Sequence, residues 1–157
     1  MVDVFTRAKR SEVMSRIRSK GNAKTELRLL AILRTEGITG WRRHAQLPGN
    51  PDFVFRRRRL AIFVDGCFWH GCPRCYRRPT SNRRYWDAKV IRNRARDRTV
   101  TRELRRAGWN VMRIWEHALK NPKRCLEKLL IRLCGNAQVT DEHPSPRRSP
   151  QAPYATE

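Results

Sequence analysis

Acidic residues are scarce in this chain. Of 157 residues only 14 are Asp or Glu, against 36 Lys or Arg, which leaves a formal charge of +22. A folded chain must hold those cations against their mutual repulsion, and a polyanion is the partner that relieves it. The competing reading is a solvated cationic surface on a ribosome-associated or export-related protein. Lysine is scarce too: 29 of the 36 cations are Arg, whose planar fork suits phosphate oxygens. Long apolar runs are absent. No window approaches the ~18 apolar residues of a membrane span, and the first residues carry no apolar signal core. The expectation is a cytoplasmic protein with reduced thiols and no membrane contact. The five cysteines then read as metal ligands or buried hydrophobes rather than a disulfide framework.

No internal repeat is visible, and the length suits one domain. Residues 1–20 read as a basic DNA-binding arm with a short helix, on which Ser11 is the N-cap and Val13, Met14 and Ile17 recur at helical spacing. Residues 21–134 form the main domain. The stretch AKTELRLLAILRTEG predicts an amphipathic helix with Leu27, Leu30, Ile32 and Leu33 inward and Gly37 closing it. WRRHAQL, DFVF and LAIFVD read as strands, the last two joined by a basic hairpin. From Ser81 to Gly108 the chain has no Pro or Gly before its end, which predicts one helix of roughly seven turns. WNVMRIW follows as a strand and NPKRCLEKLLIRLCG as a helix with Leu126, Leu129, Leu130 and Leu133 as its stripe. The order predicts an α/β fold, a mixed central β-sheet flanked by helices. Residues 135–157 hold four prolines and no apolar periodicity, and read as a disordered tail.

One stretch concentrates chemistry: FVDGCFWHGCPRCY, residues 63–76. Cys67, Cys72 and Cys75 are spaced C-x4-C-x2-C, and the x2 step lets two sulfurs reach one Zn²⁺ from a tight turn. His117 is the best fourth ligand, since it follows the strand expected beside IFVD; His44, His70 and His143 compete. Three reduced thiols without metal are the alternative. Cys125 and Cys134 read as helix-stripe packing. Asp52 precedes one strand and Asp65 ends the next, so a hairpin would bring both to the same end of the sheet. Paired carboxylates there suit Mg²⁺, with Glu26 as a further ligand. His70 can take a proton from an attacking water, with Asp97 holding its second nitrogen. Asp52 as a mere turn residue, and His70 as a zinc ligand, remain open on spacing alone.

LPGNPDFVF, IFVDGCFWHGCP, YWDAKVIRNRARD and GWNVMRIWE together resemble the very-short-patch-repair (Vsr) DNA mismatch endonucleases, within the PD-(D/E)xK nuclease superfamily, over about residues 8–134. The resemblance implies a restriction-endonuclease-like core with a structural zinc site. It also implies Mg²⁺-dependent nicking 5′ of the mispaired thymine in T·G pairs left by deamination of 5-methylcytosine. By motif position it assigns Asp52 to metal, His70 and Asp97 to catalysis and Glu26 to the helix acid. Cys67, Cys72, Cys75 and His117 take the zinc, and the backbone carbonyl of Val64 is a second Mg²⁺ contact. Asp65 departs from the superfamily signature, and some members of the family carry histidine there; an aspartate can bind metal or position water but cannot clamp phosphate as a cation.

Phe68 and Trp69, beside a zinc ligand, can wedge between base pairs at a mismatch, where unstacking is easier. The resemblance adds Trp86 to that pair, and Lys89 and Asn93 as DNA contacts. Met14 and Ile17 can enter from the opposite groove, ordinary packing being the alternative. The expected partner is double-stranded DNA with a T·G mismatch, bound by a monomer. Mismatch-repair proteins and a 5-methylcytosine methyltransferase are its functional links. The rival functions are a PD-(D/E)xK nuclease of different specificity and a non-catalytic zinc DNA-binding module.

Overall fold

The computed structural model describes residue 22 and residues 24–135. The arm, the short helix with Met14 and Ile17, His143 and the tail lie outside the described residues. Helix α1 (Glu26–Thr35) leads to strand β1 (Phe53–Phe55), a 3-10 turn (Arg56–Arg58) and strand β2 (Leu60–Asp65). Helix α2 (Arg83–Arg106), strand β3 (Asn110–Trp115), a second 3-10 turn (Glu116–Lys120) and helix α3 (Pro122–Cys134) follow. The sheet order is β1-β2-β3, with β1 antiparallel and β3 parallel to β2. A parallel pair needs a long crossover, and α2 supplies it. This is the mixed sheet with flanking helices that the element order predicts. Among the described residues no helix is long and apolar enough to cross a membrane.

Alternation along the strands sends successive side chains to opposite faces. Leu60, Ile62 and Ile114 face a layer built from α1, α3 and the second 3-10 turn, where Leu29, Leu33, Leu119 and Leu129 are fully buried. Ala61, Phe63 and Val111 face α2 instead, with Leu104 sealing that smaller core. The α2 stripe runs Trp86, Val90, Asn93, Asp97, Val100, Leu104, steps of three and four that hold one face of a helix. Two polar residues therefore sit inside an otherwise apolar seam.

Three expectations change. WRRHAQL is not a strand: only Arg42 pairs, bridging Val54 through backbone hydrogen bonds of 2.8 Å. His44 holds a left-handed φ of 54°, which breaks the extended backbone two residues later. On α1 the inward column is Glu26, Leu29, Leu30 and Leu33, at i, i+3, i+4 and i+7, with Ile32 buried beside it. Leu27 steps off that column and is 39% exposed. On α3 the buried column is Cys125 and Leu129, while Leu130 and Cys134, four apart on the outer side, are exposed. Gly37 does close α1, at φ 64°, with Ile38 N–H donating to the Leu33 carbonyl at 2.8 Å.

Candidate active site and metal centre

The turn after β2 carries the thiols. Cys67 Sγ and Cys72 Sγ lie 3.3 and 3.5 Å from His117 Nδ1, and the ligand atoms of Cys67, Cys72, Cys75 and His117 all fall within 4.8 Å of one another. Parallel pairing of β2 with β3 makes this meeting, because it brings the ends of the two strands side by side. Backbone bonds stitch the turn: Cys72 N–H to the Cys67 carbonyl at 2.8 Å, Tyr76 N–H to the Cys72 carbonyl at 2.9 Å. Glu116 Oε2 accepts from Cys67 N–H at 3.2 Å. Burial pushes the Cys67 thiol up to about 12, and the neighbouring thiols add to it. Burial also acts to raise Cys72, but N–H donation from Arg74 and Cys75 outweighs it and lowers that thiol. Three crowded sulfurs and an imidazole are a soft set of four donors that fits Zn²⁺. The rival fourth ligands have other partners: His70 pairs with Asp97, and His44 Nε2 lies 3.8 Å from Glu26.

The second cluster sits at the carboxyl end of β2. Asp52 precedes β1, and the antiparallel register returns it to that end, where its Oδ2 accepts from Val64 N–H at 2.7 Å. Burial raises the Asp52 carboxyl to about 6 against that one hydrogen bond, and the charges of Glu26 and Asp65 push it further. A hard oxygen donor so poorly compensated fits a divalent cation. Glu26, buried in the first turn of α1, has its Oε1 engaged by Arg43, whose Nε lies at 2.7 Å. The Glu26 carboxylate is therefore held beside the site by an arginine.

His70 Nδ1–H donates to Asp97 Oδ2 at 2.5 Å, which leaves Nε2 as the basic atom of the neutral ring. Burial works to raise Asp97, but the hydrogen bond and charge of His70, then Arg113, hold its carboxyl below the usual range. The alternation that sends Ala61 and Phe63 toward α2 sends Asp65 there also, and Val111 does the same for Arg113. Arg113 Nε and Nη2 reach Asp65 at 2.7 and 2.6 Å, and Nη2 also reaches Asp97 at 2.9 Å. The guanidinium stacks 4.8 Å from the Phe63 ring centre. Burial works against its charge, yet Asp65 and Asp97 raise the Arg113 value. The ligand atoms of Asp65, His70 and Asp97 lie within 4.8 Å of one another, close enough to hold a metal ion, and Arg113 sets one positive charge against the two carboxylates. Asp65 holds Arg113 through both of its oxygens and has His70 Nδ1 3.7 Å away.

The Asp52–Glu26 cluster and the His70–Asp97–Arg113 network border a cleft of about 1430 Å³, which Phe68, Trp69, Lys89 and Asn93 also line. Phe68 sits at the centre of an aromatic group, 5.2 Å from Trp69 and 5.0 Å from Trp86, ring centre to ring centre. Phe68 and Trp69 are half-buried, and Trp86 is buried beneath them as their backing. Asn93 Nδ2 donates to the Trp69 carbonyl at 2.8 Å, and Arg94 donates to the carbonyls of His70 and Gly71. Gly71 holds φ 61°, and a Cβ there would stand 2.5 Å from Val90. The turn therefore lies directly on α2. Sequence reasoning missed Arg113, Arg43, Glu116 and Arg94. A lone cation in the strand WNVMRIW, in phase with Val111, was the available signal for Arg113.

A family profile described as DNA mismatch endonuclease Vsr matches residues 2–77. The DNA mismatch endonuclease Vsr of Escherichia coli (strain K12) is 36% identical over 132 residues, covering 83% of each chain. The type II nicking enzyme V.XorIIP of Xanthomonas oryzae pv. oryzae is 38% identical over 77% of this chain and 89% of its own. The type II nicking enzyme V.NaeI of Lentzea aerocolonigenes is 57% identical over 67 residues; that match spans 43% of this chain and only 40% of the relative. In structure the chain is similar to the catalytic domain of the homing endonuclease I-Bth0305I, with a TM-score of 0.50 at 20% identity, over 72% of this chain and 96% of that one. That last likeness speaks to fold alone.

Proposed function

This chain belongs to the Vsr family of DNA mismatch endonucleases, and from that premise we propose that it nicks one strand of duplex DNA 5′ of the thymine in a T·G pair, using Mg²⁺. The observation that carries the reading is the hydrogen-bonded His70–Asp97 pair, which lines one cleft with Asp52 and with Phe68 and Trp69, the neighbours of His70 on its turn. Asp52, with Glu26 and the Val64 carbonyl, would hold the cation, which supplies charge neutralisation at the scissile phosphate.

Asp97 fixes the His70 tautomer, and Arg113 fixes Asp97 in turn. His70 Nε2 takes a proton from water as the water oxygen attacks phosphorus. The bond from phosphorus to the 3′ oxygen breaks, and that oxygen takes up a proton, leaving a 3′-hydroxyl and a 5′-phosphate. Phe68 and Trp69 insert beside the mismatch, where weak pairing lowers the unstacking cost, and Trp86 braces them from below. Lys89 and Asn93 line the same cleft, Asn93 also tying Trp69 to α2. The three thiols and His117 would hold Zn²⁺, which would keep the turn rigid.

A second reading, a nicking enzyme indifferent to mismatches, draws on the relatives named only as type II nicking enzymes. A duplex panel carrying T·G, T·A and other mismatches at one position separates the two. Cleavage confined to T·G supports the proposal, and equal cutting of all duplexes overturns it.

A further inference from the structure

Asp97 and Arg113 line two clefts at once. Beyond the catalytic one, a second cleft of about 590 Å³ continues past them along the C-terminal half of α2. Apart from Thr101, the rest of its lining is arginine: Arg98, Arg102, Arg105 and Arg106, all exposed. Among the described residues no carboxylate pairs with any of these four. Arg98 and Arg102, and Arg102 and Arg106, stand four apart, where like charges work against a helix. Among the described residues no ion pair offsets that repulsion. Four residues advance the helix by about 6 Å, so the guanidinium groups form a ladder leading away from His70.

We infer that this ladder binds the phosphodiester backbone of the scissile strand as it leaves the catalytic centre, each guanidinium fork taking a phosphate. The inference rests on the reading of the His70 cleft as a DNA-cleaving site. The strand passes the Asp97–Arg113 junction and continues along α2. Such contacts fix register and carry no base information, so the ladder binds matched and mismatched DNA alike.

The test is the salt dependence of binding, with Mg²⁺ chelated by EDTA, on a T·G duplex and its T·A counterpart. The triple variant R98Q/R102Q/R106Q is compared with R124Q/K128Q/R132Q, which removes three exposed charges of α3 that line neither cleft. Each phosphate contact contributes about 0.9 to the slope of log affinity against log salt, so the ladder variant should lose about 2.7 on both duplexes. The α3 variant should follow the parent. A ladder variant that keeps the parent's slope, or an equal loss in both variants, overturns the inference. An absent preference for T·G in every protein would count against the mismatch reading and leave the slope comparison standing.

Discussion

Strand β2 presents two different surfaces from six residues. Leu60 and Ile62 are fully buried in a layer of leucines and phenylalanines from α1, β1 and α3. Ala61 and Phe63 begin the opposite face in the same way, but the next residue in phase is Asp65, and α2 answers it with Asp97 rather than a leucine. One face is a sealed core, and the other is a core for two residues and a charged network from the third. The difference teaches where chemistry enters this fold: at the carboxyl end of the strand, where the sheet stops needing apolar cover. Stability and activity should therefore be separable by face.

The sharpest break is His70→Ala. Loss of the general base lowers the single-turnover nicking rate by about 10²–10⁴-fold, with a melting curve close to the parent's. Leu29→Ala, on the other face, does the reverse. It costs about 2–5 kcal/mol in urea unfolding and leaves the nicking rate of the folded protein unchanged. Arg113→Met strikes the boundary, since it strands Asp65, which is only 4% exposed. Breaking a buried pair costs about 3 kcal/mol, and the rate falls with it because Asp97 loses its second holder. Adding Asp65→Asn should restore stability but not rate; recovery of both would make Arg113 purely structural.

The smallest effect is a pH dependence. Burial lifts Asp52 from 3.8 to about 6. The cost of ionising it in the fold is absent below the ordinary value, grows through that window and is full above it, so this group lowers stability as pH rises from 3.8 to about 6. Metal binding needs the ionised form. The Mg²⁺ concentration for half-maximal nicking should rise about tenfold per pH unit below about 6 and stay flat above it. A flat response throughout would remove Asp52 from the metal.

Much of this was legible in the sequence because the signals were local. The x2 spacing of Cys72 and Cys75, the hairpin returning Asp52 toward Asp65, and the Gly-free run of α2 each depend on neighbours in the chain. The adjacency of the two strands that delivers His117 was expected from the sequence, and the β2–β3 pairing, which is parallel, bears it out. Arg113 was not legible in the same way, since its meaning depends on strand phase and on a helix crossing above it. Trp86 carried no mark in the sequence of its burial behind Phe68 and Trp69. The strand expected at residues 41–47 failed at His44, whose left-handed backbone no local pattern announces. Exposed Leu27, Leu130 and Cys134 show that a helical stripe narrower than the leucine content allows leaves some apolar residues outside.

The most direct test of the central claim is strand-labelled cleavage of a T·G duplex with Mg²⁺, run with and without chelator. The account predicts one nick, in the thymine strand on the 5′ side of the mispaired base, with 3′-hydroxyl and 5′-phosphate ends and none in chelator. Cutting of both strands, or nicking that survives the chelator, would contradict it.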